Sequence, residues 1–371
     1  FNKFHFNMMI KTRIIFKTFI YFFLPLYYST AFSQSTSPLD GSAIEFIKGA
    51  DIGWLPQMEA SGFKFYGDDG LEQDCFQILK EHGINAIRIR TWVNPSDDRQ
   101  SGHCSKEETV SLALRAKGWD MKIMIDFHYS DSWADPAKQN KPAAWLDHSF
   151  PELLADVYDY TYDVMKALVA EGITPEWVQV GNEITNGMLW PEGKSSDNWK
   201  QLAQLLNQGY DAVKVASPTS KVIMHVDNGH DKNITKKWFD NAKENKVKYD
   251  IIGLSYYPFW SNAKLVEGTW VNDNPDYKLT IDDLGDNMID LASSYGKDVM
   301  IVETGDMDDQ PDRTYDMLVA VQQKVKEIPN NKGLGVFYWE PEGARSWSGY
   351  GLSAWGQDGK PTRAMDAFLA K

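Results

Sequence analysis

Eight apolar, β-rich runs recur along the chain, and helical segments alternate with them. The runs cover residues 44–52, 86–93, 122–128, 177–182, 221–226, 251–256, 299–303 and 335–339. Amphipathic segments at 73–82, 107–117, 151–171, 199–216, 232–245, 281–295 and 313–327 lie between them. Glycine follows several helix ends (His82-Gly83, Glu171-Gly172, Tyr295-Gly296), where a left-handed residue closes the last turn. Strands that are apolar almost throughout and alternate with helices require a parallel sheet covered by helices. Eight such units in one uninterrupted stretch predict an α/β fold, a single closed (β/α)8 TIM barrel over residues 43–371, rather than an open doubly wound sheet. No G-x-G-x-x-G follows a strand, which argues against dinucleotide binding.

Composition narrows the functional classes. Of 371 residues, 43 % are hydrophobic and 24 % charged, which excludes disorder, collagen-like repeats and a disulfide scaffold. The net charge of −14 argues against a nucleic-acid partner, because neutralising phosphates takes a basic face. Lys11, Arg13 and Lys17 precede an apolar run from Phe19 to Leu26 and then Ala31-Phe32-Ser33. A basic head, a short apolar stretch and small residues predict a secretory signal peptide over residues 1–33. Met8-Met9 is read as its start, so residues 1–7 stand upstream of it, and residues 34–42 form a polar linker. The expected product is secreted or periplasmic, monomeric, acidic and free of the membrane once the leader is removed. Cys75 and Cys104 allow one disulfide or two free thiols, and sequence does not choose between them.

Polarity collects where the strands end. In a barrel of this type the carboxyl ends of the strands and the loops after them carry the site. Those ends hold Asp51, Arg88 and Arg90, Asp126 and His128, Asn182 and Glu183, His225 and Asp227, Tyr257, Glu303 and Trp339. Ionisable groups at the tip of an apolar strand are costly to bury unpaired, and a ring of them on one rim is best read as a site. Glu183 ends the fourth strand and Glu303 the seventh. Those strands lie across the barrel from each other, so both carboxylates can enter one cleft. Two carboxylates flanking a bond are what glycoside hydrolysis needs. A lone glutamate there would more simply be a buried partner of Arg88 or Arg90; a pair in register is not explained that way.

The remaining rim residues fit the same chemistry. A cation at Arg88 favours the ionised form of Glu303, and Asn182 is placed to bond a sugar 2-hydroxyl. His128 and His225 suit hydroxyl groups, since no zinc-binding spacing accompanies them. Asp51, Arg90, Asp227 and Tyr257 are further candidates for substrate contact. Trp339 could floor the sugar, while Trp54, Trp133, Trp260, Trp347 and Trp355 fall in loops where stacking on sugars is possible in principle. The acidic stretch Asp306, Asp308, Asp309, Asp312 could offer oxygen ligands to calcium but lacks the EF-hand pattern. No cofactor is required by this reading, and calcium is not predicted.

Longer motifs carry a resemblance. They include Gly49-Ala50-Asp51-Ile52, Arg88-Ile89-Arg90-Thr91-Trp92-Val93-Asn94-Pro95 and the run Asp126-Phe127-His128-Tyr129-Ser130-Asp131-Ser132-Trp133-Ala134-Asp135-Pro136. Further along come Val180-Gly181-Asn182-Glu183-Ile184-Thr185-Asn186-Gly187, Asp227-Asn228-Gly229, Ser255-Tyr256-Tyr257-Pro258-Phe259-Trp260 and Trp339-Glu340-Pro341. Asn182-Glu183 with a lone Glu303 resembles the clan of retaining (β/α)8 glycoside hydrolases. The full set resembles the arabinogalactan endo-β-1,4-galactanases, glycoside hydrolase family fifty-three, from about Ala43 to the C terminus. The resemblance implies an endo-acting enzyme that cuts β-1,4-galactan, the pectin side chain, with retention. It implies Glu183 as acid/base and Glu303 as nucleophile. The loop after Glu303, Thr304-Gly305-Asp306-Met307-Asp308-Asp309-Gln310-Pro311, looks shorter than in bacterial relatives, so their calcium site is not carried over. Two rivals remain open: another glycanase of the clan, acting on mannan, xylan or glucan, and a non-catalytic carbohydrate-binding barrel.

Overall fold

The computed structural model describes residues 45–261 and 263–370; the expected leader and linker lie outside them. Eight parallel strands close a barrel: β1 (Ile47–Asp51), β2 (Ala86–Thr91), β3 (Lys122–Phe127), β4 (Trp177–Val180), β5 (Lys221–Val226), β6 (Ile251–Tyr256), β7 (Asp298–Thr304) and β8 (Gly333–Trp339). Each pairs with its neighbours in sequence, and β8 closes on β1. Outside lie α1 (Cys75–Glu81), α2 (Lys106–Gly118), α3 (Phe150–Ala170), α4 (Trp199–Ala216), α5 (Lys232–Glu244), α6 (Ile281–Tyr295) and α7 (Pro311–Lys326). All eight expected strands and seven expected helices are present, with ends shifted by up to three residues. Gly83, Gly172 and Gly296 take left-handed φ values of 85°, 68° and 67°, as a helix-closing residue should. Among the described residues no helix is long and apolar enough to cross a membrane.

The helix starts are written locally. Ser105 accepts from the Glu108 backbone N–H while Glu108 accepts from the Ser105 N–H at 2.9 Å, so two orphan donors of the first turn are satisfied reciprocally. Asp231 caps α5 in a simpler way, accepting from the N–H groups of Asn233 and Ile234.

The barrel interior is layered. Ile47, Ala86, Met124, Trp177, Ile223, Ile251, Met300, Val302 and Phe337 form one apolar cluster to which every strand contributes. Gly49 makes room for it, since a Cβ there would sit 2.1 Å from the Phe337 ring. Truncating Phe337 to alanine would open a cavity costing about 3–5 kcal/mol. Two residues further along β2, β3, β4 and β5, the inward positions are Arg88, Asp126, Gln179 and His225, all fully buried. A polar plug thus sits directly on an apolar base, and it lies at the end where the site is expected.

Two backbone irregularities shape that end. The register of β7 against β6 shifts between Ile301 and Glu303, so that Glu303 pairs with Ser255. One extra residue is accommodated there, and Val302 and Glu303 both face the bore. Just beyond β3, β4, β5 and β8, Tyr129, Glu183, Asn228 and Glu340 adopt left-handed φ values of 49°, 46°, 53° and 46°. Such conformations cost about 1–3 kcal/mol each and persist only where surroundings enforce them.

Candidate active site

Arg88 organises the plug. Its Nη1 donates to Asp51 Oδ2 (2.6 Å), its Nε to Gln179 Oε1 (2.7 Å) and its Nη2 to Asp126 Oδ2 (2.8 Å) and Asn182 Oδ1 (2.9 Å). The same Nη2 lies 2.8 Å from Glu303 Oε1. Burying a guanidinium is tolerable only with this degree of pairing. Burial alone would raise the Asp126 carboxyl, but Arg88 and His128 outweigh it and bring it down to about 2.

The two glutamates meet above this plug. One carboxylate oxygen of each and a ring nitrogen of His225 all lie within 4.8 Å of one another. Glu303 accepts from Arg88 on Oε1 and from Tyr257 Oη on Oε2 at 3.1 Å. Glu183 accepts on Oε1 from Ser255 Oγ at 2.7 Å. Burial, followed by the charges of Glu303 and Asp227, pushes the Glu183 carboxyl well above the ordinary carboxylate value. Burial raises Glu303 too, while Arg88 and Tyr257 pull it back. Arg88 thus acts on Glu303 in the expected direction, favouring the charged form, but desolvation outweighs it, and Glu183 is the more readily protonated of the two.

Above the pair opens a cleft of about 510 Å³, within the range of small-molecule sites. Glu183, Glu303, Asp227, Tyr257 and Trp339 line it, joined by Asp135, Asn228, His230, Ser255, Trp260, Trp270 and Tyr350. The other six expected contact residues do not. Asp51, Arg88, Arg90 and His225 are buried to within 1 % beneath it. His128 has both ring nitrogens committed, Nε2 to Asp126 at 2.9 Å and Nδ1 to the Ala134 N–H at 3.1 Å. Asn182 gives Nδ2 to the Ala134 carbonyl at 2.8 Å and Oδ1 to Arg88. Strand-end position identified these residues, and the structure ties most of their polar atoms into the plug, although Arg90 Nε and Nη2 find no partner among the described residues.

Arg90 explains much of the tryptophan content. It pairs with Glu340 and Asp51, and its guanidinium carbon lies 4.6–6.0 Å from the rings of Trp54, Trp92, Trp133 and Trp339. Cation–π attraction of this kind braces Trp339, which also meets Trp54 and Tyr350 edge-on at 5.1 and 4.8 Å. Trp54, Trp347 and Trp355 are therefore core, at 1–5 % exposure, and of the loop tryptophans Trp260 lines the cleft. Its companion Trp270 had no role in the sequence reading. A hairpin carries it, Lys264–Val266 against Thr269–Val271, turned by Glu267-Gly268 with both residues left-handed. A Gly-containing two-residue turn between Leu265-Val266 and the β-prone run Thr269-Trp270-Val271 was the signal.

Could the site hold a metal? Glu183, His225 and Glu303 are close enough, but Arg88 already supplies a cation 2.8 Å from Glu303, and both His225 nitrogens are engaged. In the acidic stretch, Asp306 takes both Nε and Nη2 of Arg313, Asp308 faces Arg345 and Asp312 faces Arg363. Cys75 and Cys104 are buried free thiols.

A closed (β/α)8 barrel with two apposed carboxylates at the ends of β4 and β7 is the architecture of a barrel glycoside hydrolase. The chain belongs to glycosyl hydrolase family 53, whose profile matches residues 47–368. It is 33 % identical over 328 residues to the endo-beta-1,4-galactanase of Bacillus subtilis, covering 82 % of this chain and 71 % of that one. It is 33 % identical over 315 residues to the arabinogalactan endo-beta-1,4-galactanase of Humicola insolens, covering 79 % and 89 %. The GH53 catalytic domain of Ignisphaera aggregans superposes with a TM-score of 0.77 at 29 % identity, over 89 % of this chain and 97 % of that one.

Proposed function

We propose that the chain is an endo-acting β-1,4-galactanase that works by retaining double displacement, with Glu303 as nucleophile and Glu183 as acid/base. The observation that carries this reading is the spacing and asymmetry of the two carboxylates. Retaining enzymes hold theirs about 5–5.5 Å apart, inverting ones about 6.5–9.5 Å, and oxygens within 4.8 Å suit the former. Glu303, held by a cation and a phenol, attacks the anomeric carbon. Glu183, the acid with the higher proton affinity, protonates the departing oxygen. Once the glycosyl ester forms, the Glu303 charge is gone, Glu183 loses a reason to keep a proton, and as a base it activates water.

Three supporting elements complete the proposal. Trp339, Trp260 and Trp270 offer flat surfaces to sugar rings. A chain of net charge −14 suits a neutral galactan and repels anionic pectin backbones. Arg88 takes the place a catalytic cation would fill, so activity on galactan is expected to survive exhaustive dialysis against EDTA. Export through the leader of residues 1–33 and a monomeric working state belong to the same reading; size-exclusion chromatography checks the latter. The decisive experiment measures new reducing ends from linear galactan, mannan, xylan and glucan, with NMR of the first anomer released. Galactan alone, with β product first, is expected. Cleavage of mannan but not galactan overturns the substrate, and α product overturns the mechanism.

A further inference from the structure

Behind Glu183 a hydrogen-bonded chain runs from Ser255 in the cleft wall down into the plug. Ser255 Oγ is 2.7 Å from Glu183 Oε1 and 2.7 Å from His225 Nε2. On the far side of the ring, His225 Nδ1 is met by the Glu183 backbone N–H at 3.3 Å and by Gln179 Nε2 at 3.0 Å. The first of these can only donate. The second can only donate as well, because Gln179 is oriented by Arg88, whose Nε gives to Gln179 Oε1, and by Asp126, which accepts from its Nε2 at 3.1 Å. Asn182 Oδ1 also lies 3.1 Å from Nδ1 and accepts from Arg88, but the two donors aimed at that nitrogen outweigh this one acceptor. Nδ1 is therefore an acceptor, and the single proton of a neutral imidazole sits on Nε2. Burial and the Arg88 charge keep the ring neutral.

The rest follows by direction. His225 Nε2–H donates to Ser255 Oγ, so the one hydroxyl proton of Ser255 must point at Glu183 Oε1. We infer that Ser255 is a positioning residue: it fills Oε1 with a donor and thereby confines the acid's transferable proton to Oε2. A carboxyl free to carry its proton on either oxygen, or to rotate, would spend part of its time with the proton turned away from the leaving group. Ser255 sits opposite Glu303 in the β6–β7 register, so one strand pairing holds the acid's guide level with the nucleophile.

This inference rests on the proposed roles of Glu183 and Glu303, and two measurements on Ser255→Ala separate the two. The first needs no substrate: the Glu183 carboxyl is followed by carbon-13 NMR. The other titratable groups facing it are Glu303, Asp227, Asp135, His225, Tyr257 and Tyr350, all unchanged in the variant, so a difference from the parent reports the lost donor. A rise of about one unit is expected, because the lost donor no longer favours the charged carboxylate. The second compares kcat/KM on galactan with kcat/KM on a dinitrophenyl galactooligosaccharide, whose leaving group departs without a proton. Galactan should fall about tenfold with its alkaline limb moved to higher pH, and the activated substrate by less than twofold. Ser255→Cys, a weaker donor, carries the same comparison with smaller shifts should the alanine variant fail to fold. Equal losses on both substrates, or a Glu183 titration that does not move, overturn the inference. A parent that cuts no galactan overturns the functional reading instead, while the NMR titration still decides whether Ser255 donates.

Discussion

Glu303 and Glu183 share one cleft but stand on different ground. Glu303 has the plug's guanidinium at 2.8 Å and a phenol of the cleft wall at 3.1 Å, both donors to the charged form. Glu183 has one hydroxyl and a neighbourhood of other carboxylates, Glu303 and Asp227 foremost. Burial acts on both in the same direction, so the distribution of donors and charges tells them apart. On the proposed reading, two identical side chains divide into a nucleophile and an acid because Arg88 pairs with the carboxylate of Glu303 and not with that of Glu183. Opposed pKa environments of this kind are the general means by which a pair of carboxylates divides its labour.

The contrast can be broken most completely at Glu303. Glu303→Gln removes the attacking oxygen and is expected to lower kcat on galactan by about 10⁵-fold, as measured by reducing-end release. Glu183→Gln should cost less, about 10²–10⁴-fold on galactan. It should cost far less in kcat/KM on a dinitrophenyl glycoside; equal losses on the two substrates would mean that Glu183 is not the acid. Tyr257→Phe removes one of the two donors to Glu303 and so moves it towards Glu183 in character. The acid limb of the kcat/KM profile, where the nucleophile must be ionised, then moves to higher pH with a loss of about tenfold.

The smallest effect tests the principle away from the reacting pair. Glu342 is fully buried, and neither of its oxygens finds a donor among the described residues. Burial and the charge of Glu340 push its carboxyl well above the ordinary value. A group that binds its proton more tightly when folded makes stability fall as pH climbs from the unfolded carboxyl value toward the folded one. Glu342→Gln removes that dependence, and its advantage in thermal unfolding should grow from pH 5 to pH 8, reaching about 1–2 kcal/mol.

Barrel and carboxylate pair were legible for different reasons. The strands announced themselves because a parallel strand buried on both faces is apolar along its whole length. Glu183 and Glu303 stood out as charges at the tips of such runs. What a strand end cannot reveal is depth. Asp51, Arg90 and His225 share the tip position with Glu303, yet the plug draws them below the cleft, because alternation sets which face a residue points to and not what lies above it. Ser255 went unassigned for the converse reason: a small hydroxyl inside an apolar run has no unusual burial cost to flag it. Trp270 was hidden in a hairpin exposed at every position, so no buried face makes its strands alternate.

The extra residue in β7 also shows how a centre like this could vanish without trace in the architecture. Were that strand regular, the alternation that turns Met300 and Val302 inward would carry Glu303 round to the helices and leave Thr304 above the reacting sugar. Every hydrogen-bonded neighbour could still find a partner and the cylinder would still shut. Chemistry here depends on a local miscount between adjacent strands, and a redesign that tidied the sheet would silence the protein while keeping its shape.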